Sequence, residues 1–102
     1  MQTTLTPQQL AEHVRSAMFA NDGASQALGM QVTAISPTSA SVTMTVRADM
    51  LNGHATCHGG FITALADSAF AFACNARNEM TVASGLSIDF LVPGREGNVL
   101  TA

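Results

Sequence analysis

The sequence predicts an α+β fold, and three observations carry that reading. Helical spacing runs through two segments, about residues 7–21 and 59–76. Strict alternation marks strands, most cleanly where Ala40, Val42, Met44 and Val46 alternate with Ser41, Thr43, Thr45 and Arg47. Short turn signals separate the strand candidates, which makes neighbouring strands antiparallel. A chain of 102 residues is long enough for one domain and too short for two, so 1–102 is read as a single unit.

The first helix starts at Thr6-Pro7-Gln8-Gln9, where Thr6 caps, Pro7 suits the first helical position and Gln9 closes a capping box. Leu10, Val14, Ala17 and Met18 form its apolar side, and Asn21-Asp22-Gly23 stops it. Gly29 to Ile35 and Ala40 to Arg47 are strand candidates split by Ser36-Pro37-Thr38. Asp49 to Cys57 lacks periodicity and is expected to be a loop. The long helix begins near Gly59, with Phe61, Ile62, Leu65, Ala69, Phe72 and Ala73 on one side and Thr63, Ala64, Asp67, Ser68 and Ala71 on the other. A helix so apolar or small all round is expected to be buried all round. Thr81 to Leu91 is a third strand candidate with Leu86, Ile88 and Phe90 on one face, and Pro93-Gly94 ends it. Val99 to Ala102 begins a fourth strand, and a chain stopping there is expected to be one cut short, with an open sheet edge.

Composition excludes several classes of function. The net charge is −3, the only basic side chains apart from histidine are the scattered Arg15, Arg47, Arg77 and Arg95, and nucleic acid is therefore not an expected partner. No apolar run reaches the length of a membrane span, and Glu12, His13 and Arg15 interrupt the N-terminus where a signal peptide has its apolar core. Cys57 and Cys74 suit free thiols in a reducing compartment, so the cytoplasm is the expected location. With 47% hydrophobic and 11% charged residues, the chain has more apolar side chain than one small domain readily hides, which favours a subunit interface.

The chemistry concentrates between Gly53 and Ala76. Histidines aside, Asp67 is the only charged side chain there, and a carboxylate among alanines and phenylalanines is expected to be desolvated and suited to acid/base work. A cap or an arginine pair is the structural alternative. His58-Gly59-Gly60 stands before the long helix, where the Gly59 amide can serve a carbonyl oxygen that gains charge. A tight turn needing small residues explains the same glycines. Gly59 and Asp67 are eight residues apart, or about 12 Å along one helix, too far to serve one carbonyl. Two helices antiparallel across a two-fold axis bring Gly59 of one subunit to Asp67 of the other. Thr63 is placed either to orient the Asp67 carboxylate or to bond its own backbone. His54, Cys57 and His58 do not make a convincing zinc site, because three glycines oppose the helix that their spacing needs. Adjacent Cys57 and His58 form a poor nucleophile pair. No phosphate loop or dinucleotide fingerprint is present, and no cofactor is expected.

The run Asn52-Gly53-His54-Ala55-Thr56-Cys57-His58-Gly59-Gly60, then Leu65-Ala66-Asp67 and Ile88-Asp89-Phe90-Leu91-Val92-Pro93-Gly94, resembles the hotdog-fold acyl-CoA thioesterases of the phenylacetic acid degradation type. The resemblance implies a long central helix wrapped by an antiparallel sheet, dimers that pair into tetramers, and sites at the dimer interface. It implies Asp67 as base or nucleophile, the Gly59 amide as the group polarising the thioester, and Asn52 and His58 as positioning groups. Gly60 and Thr63 complete the candidate set on the substrate side. The implied substrates are coenzyme A thioesters of phenylacetate and its ring-hydroxylated derivatives. Strands expected after Ala102 are missing from this chain, so a non-catalytic acyl-CoA-binding or structural hotdog protein is the competing reading. A hydratase is the third, and it lacks a second well-placed acid.

Overall fold

The computed structural model describes residues 4–102. In chain order these form α1 (Pro7–Ala20), α2 (Gly23–Ala27), β1 (Gln31–Ser36), β2 (Ser39–Thr45), a 3-10 turn (Ala48–Met50), α3 (Gly59–Asn75) and β3 (Val99–Thr101). The sheet is antiparallel in the order β1-β2-β3. Thr6 caps α1 as its sequence requires, with its hydroxyl accepting from the Gln9 N–H at 3.1 Å and the Gln9 side chain accepting from the Thr6 N–H at 2.9 Å. The buried face of α1 is Ala11 and Val14 with Met18 beside it, whereas Ala17, expected to be apolar-facing, is exposed.

The stop at Asn21-Asp22-Gly23 also starts α2, because the Asp22 carboxylate accepts from the Ser25 N–H at 2.9 Å and caps a second short helix. Ser25 is fully buried and meets the Ser68 hydroxyl at 2.9 Å, which fixes α2 to α3.

Pro37 and Thr38 form the turn between β1 and β2, which register Ile35 on Ala40 and Val32 on Val42 around a bulge at Thr33. Thr43, Met44 and Thr45 of β2 pair with Thr101, Leu100 and Val99 of β3. The alternation in β2 sends Val42 and Met44 inward, and Val46 just beyond it follows, against Leu65, Ala69 and Phe72 of α3. Removing the ring of buried Phe72, which also meets Phe19, would cost about 3–5 kcal/mol.

Two expectations are corrected. Thr81 to Leu91 forms no strand, because none of the described strands lies beside it. Alternation records a two-fold side-chain pattern, but a strand also needs a neighbour to share its hydrogen bonds. The segment instead runs back along α3. The Asn75 side chain holds Thr81 at one end, and the Cys57 N–H donates to the Gly94 carbonyl at 2.8 Å at the other. Thirteen residue steps, up to about 43 Å if fully extended, thereby join the two ends of about 25 Å of helix. The second correction is that α3 is not buried all round. Leu65, Ala69 and Phe72 are buried, while Gly60, Asp67 and Phe70 lie exposed on a side the sheet does not cover.

Candidate active site

The loop before α3 is built by Asn52. Its side-chain oxygen accepts from the His54 N–H at 2.9 Å and from the Thr56 N–H and hydroxyl at 3.2 Å each, and its own N–H donates to the Thr56 carbonyl at 2.8 Å. This clasp holds Ala55 at a φ of 59°, a left-handed conformation that costs a non-glycine residue about 1–2 kcal/mol. A bridge between Leu51 and Cys57 closes the loop and delivers His58 to the N-cap of α3.

At that helix start the hydrogen-bond donors are shared out unevenly. The Gly60 N–H donates to His58 Nδ1 at 2.9 Å, and the Phe61 N–H donates to the His58 carbonyl at 3.0 Å. The Gly59 N–H makes no hydrogen bond among the described residues. A helix N-terminus favours negative charge, so this free amide is a donor ready for an oxyanion. Because Nδ1 accepts, neutral His58 carries its proton on Nε2 and presents a second donor. The Thr63 hydroxyl donates to the Gly59 carbonyl at 2.8 Å, so here it bonds the backbone of its own helix.

Asn52, Thr56, Cys57, Gly59 and Ile62 line a pocket of about 380 Å³ with Phe90, Leu91, Val92 and Pro93. Its far wall belongs to the arm beyond α3, which is read from sequence as a strand and as part of the family motif, with no role given to it at the site. The signal for it was Gly59 itself. A Cβ there would stand 2.9 Å from Phe90 Cζ and 3.2 Å from Cε2, so only glycine lets the ring approach. A larger cavity of about 590 Å³ lies between α1 and β1 against Arg15, Phe19, Met30 and Val32, and contains none of the candidate residues.

Asp67 is not in the pocket. It lies on α3 about 12 Å from Gly59, exposed, and without a hydrogen-bond or ion-pair partner among the described residues. The expected desolvation is therefore absent within one chain, because the sheet covers the opposite side of α3. The structural alternative for Asp67, a cap or an arginine partner, is also absent among these residues. Burial pushes the Cys57 thiol up, which keeps it protonated and a poor nucleophile. Both cysteines are free, and among the described residues no three His, Cys, Asp or Glu side chains gather as a metal site. No helix among these residues is long and apolar enough to cross a membrane.

A long helix packed on an antiparallel sheet is the hotdog arrangement, and the chain belongs to the thioesterase superfamily, whose family model matches residues 54–102. Within that superfamily it stands beside the PaaI proteins. It is 52% identical over 86 residues to the acyl-coenzyme A thioesterase PaaI of Escherichia coli strain K12, covering 84% of this chain and 61% of that protein. The solved structure of E. coli PaaI, from the phenylacetic acid degradation operon, superposes with a TM-score of 0.92 at 47% identity, covering 94% of this chain and 70% of that one. A mutant of the phenylacetic acid degradation protein PaaI from Thermus thermophilus gives 0.75 at 44% identity, covering 78% and 69%. The chain spans 52% to 65% of the length of the curated relatives it matches.

Proposed function

We propose that residues 1–102 act as one hotdog domain whose paired copies hydrolyse acyl-coenzyme A thioesters to the free acid and coenzyme A. The observation that carries this reading is the unpartnered Gly59 N–H at the start of α3, in a residue that lines an apolar pocket. The thioester carbonyl oxygen takes the Gly59 amide, with the Nε2–H of His58 and the side chain of Asn52 positioning the carbonyl or the attacking water. Gly60 leaves room for the His58 ring, which a Cβ would meet at 3.0 Å, and Thr63 lies one turn along α3 from Gly59; both stand as candidate substrate-side residues.

Asp67 of a second copy supplies the missing carboxylate. Its exposure and its lack of partners in one chain support a role that begins only when another α3 packs antiparallel against this one. The carboxylate either takes a proton from water as the oxygen attacks, or attacks the carbonyl carbon itself to give an anhydride that water opens. In both routes the C–S bond breaks, the sulfur leaves as thiolate and takes up a proton, and the charge passing through the carbonyl oxygen rests on the Gly59 N–H. The proposed substrates are phenylacetyl-CoA or its ring-hydroxylated derivatives, and the names of the PaaI relatives support an acyl-coenzyme A thioester and a setting in phenylacetic acid degradation. A dimer is the minimal active unit and a homotetramer its assembled form, in the cytoplasm, where free Cys57 and Cys74 are stable.

The test is thiol release from aryl and aliphatic acyl-CoA thioesters by wild type beside Asp67→Asn. Turnover by wild type alone is the expected result. Ligand binding without product by a folded, dimeric wild type would make this a non-catalytic acyl-CoA-binding protein instead.

A further inference from the structure

We infer that Phe90 decides which acyl groups the pocket accepts, and that those groups are uncharged and limited in length by its ring. The inference rests on the function proposed above. The ring tip stands over the α-carbon of Gly59, with Cζ, Cε2 and Cε1 at 2.9, 3.2 and 3.3 Å from where a Cβ would be. A carbonyl oxygen about 3 Å from the Gly59 N–H lies beside that ring, and the acyl chain, rather than the coenzyme sulfur, is assigned to the ring side. Ile62, Leu91, Val92 and Pro93 supply the remaining apolar wall, and no charged side chain lines the pocket. An acyl group ending in a carboxylate would lose its hydration there without gaining a partner.

The ring is held in place through its backbone. Asn75 fixes Thr81 at one end of the arm, and the Cys57 N–H fixes Gly94 at the other. Phe90 is nevertheless 55% exposed and outside the hydrophobic core, so its side chain can be changed without opening that core. A hydrophobic pocket discriminates by only about 10–200-fold per methylene, which sets the scale of the effect.

The experiment measures kcat/KM for straight-chain acyl-CoA thioesters from butanoyl to dodecanoyl, together with phenylacetyl-CoA and succinyl-CoA. Wild type, Phe90→Ala and Phe90→Trp are compared, and equilibrium binding of the same acyl groups as unhydrolysable thioethers is read by calorimetry. Phe90→Ala is expected to raise the ratio of dodecanoyl to butanoyl turnover about tenfold. Phe90→Trp should lower it, and succinyl-CoA should be the poorest substrate throughout. A ring serving only to stabilise the arm would reduce every substrate alike. An active wild type whose length profile is the same in both variants would overturn the inference and leave the thioesterase reading standing. Binding without turnover would overturn the thioesterase reading, and the affinities would then decide the role of Phe90 by the same ratio. Neither binding nor turnover by folded wild type would overturn both.

Discussion

The side chain of Asn75 grips both backbone groups of Thr81: its Nδ2 donates to the Thr81 carbonyl at 2.9 Å, and its Oδ1 accepts from the Thr81 N–H at 2.9 Å. This reproduces the exchange of two hydrogen bonds by which facing residues pair in an antiparallel ladder. It turns the chain back along α3 and sets the course of the arm that ends at Phe90. Asn75→Ala should remove about 1–2 kcal/mol of local ordering with little change in global melting temperature. Exchange of the Thr81 amide should quicken while α3 stays protected, and an unchanged Thr81 rate would show that the Asn75 grip does not hold this end of the arm.

Much of this fold was legible because its signals are local. The Thr6 capping box, the Pro37-Thr38 turn, the inward Val42, Met44 and Val46, and the start of α3 at Gly59 each depend on residues within a few positions of one another. What escaped depends on distant neighbours. Alternation at Leu86, Ile88 and Phe90 says which faces differ but not whether a strand lies alongside, and none of the described strands does. Asp67 stands among apolar residues in sequence, yet the sheet covers the other side of the helix and leaves the carboxylate exposed. Asp22 served two ends at once, and its stop signal concealed α2. At the candidate site, Asn52 and Gly59 line one pocket while His58, Gly60 and Thr63 do not, and the Phe90 wall, about thirty residues away, needed the fold to reveal it.

His58 has two duties that separate by substitution. As N-cap its Nδ1 accepts from the Gly60 N–H, and as a donor its Nε2–H faces away from that bond. His58→Asn preserves a capping oxygen and should melt near wild type, whereas His58→Ala should lose about 0.5–2 kcal/mol. Both should slow thioester hydrolysis, because neither presents the imidazole donor. Full activity in the asparagine variant would reduce His58 to a cap.

The acid limb of stability has an identifiable contributor in Asp49. Hydrogen bonds from Arg47, at 3.0 Å from Nε and 3.2 Å from Nη2, hold its carboxyl below the ordinary value of 3.8. A carboxyl depressed by folding adds stability that is fully present above about pH 4 and disappears as pH falls through the lower folded value. The melting-temperature difference between wild type and Asp49→Asn should accordingly be constant from pH 7 to about 5 and shrink below about 4. Because the pair is exposed, molar salt should narrow that difference at neutral pH. A difference that persists unchanged to pH 2 would assign it to something other than this ion pair.

The central claim is that one site draws Gly59 from one copy and Asp67 from another, and mixing two inactive variants tests it most directly. Asp67→Asn lacks the carboxylate, and Gly59→Val fills the space at the Phe90 ring. Each homodimer should be inactive toward phenylacetyl-CoA. After unfolding and refolding together in equal amounts, half the dimers carry one intact pairing, and activity should return to about one quarter of wild type. No recovery, from mixtures in which mass spectrometry shows the mixed dimer, would contradict a site shared between subunits.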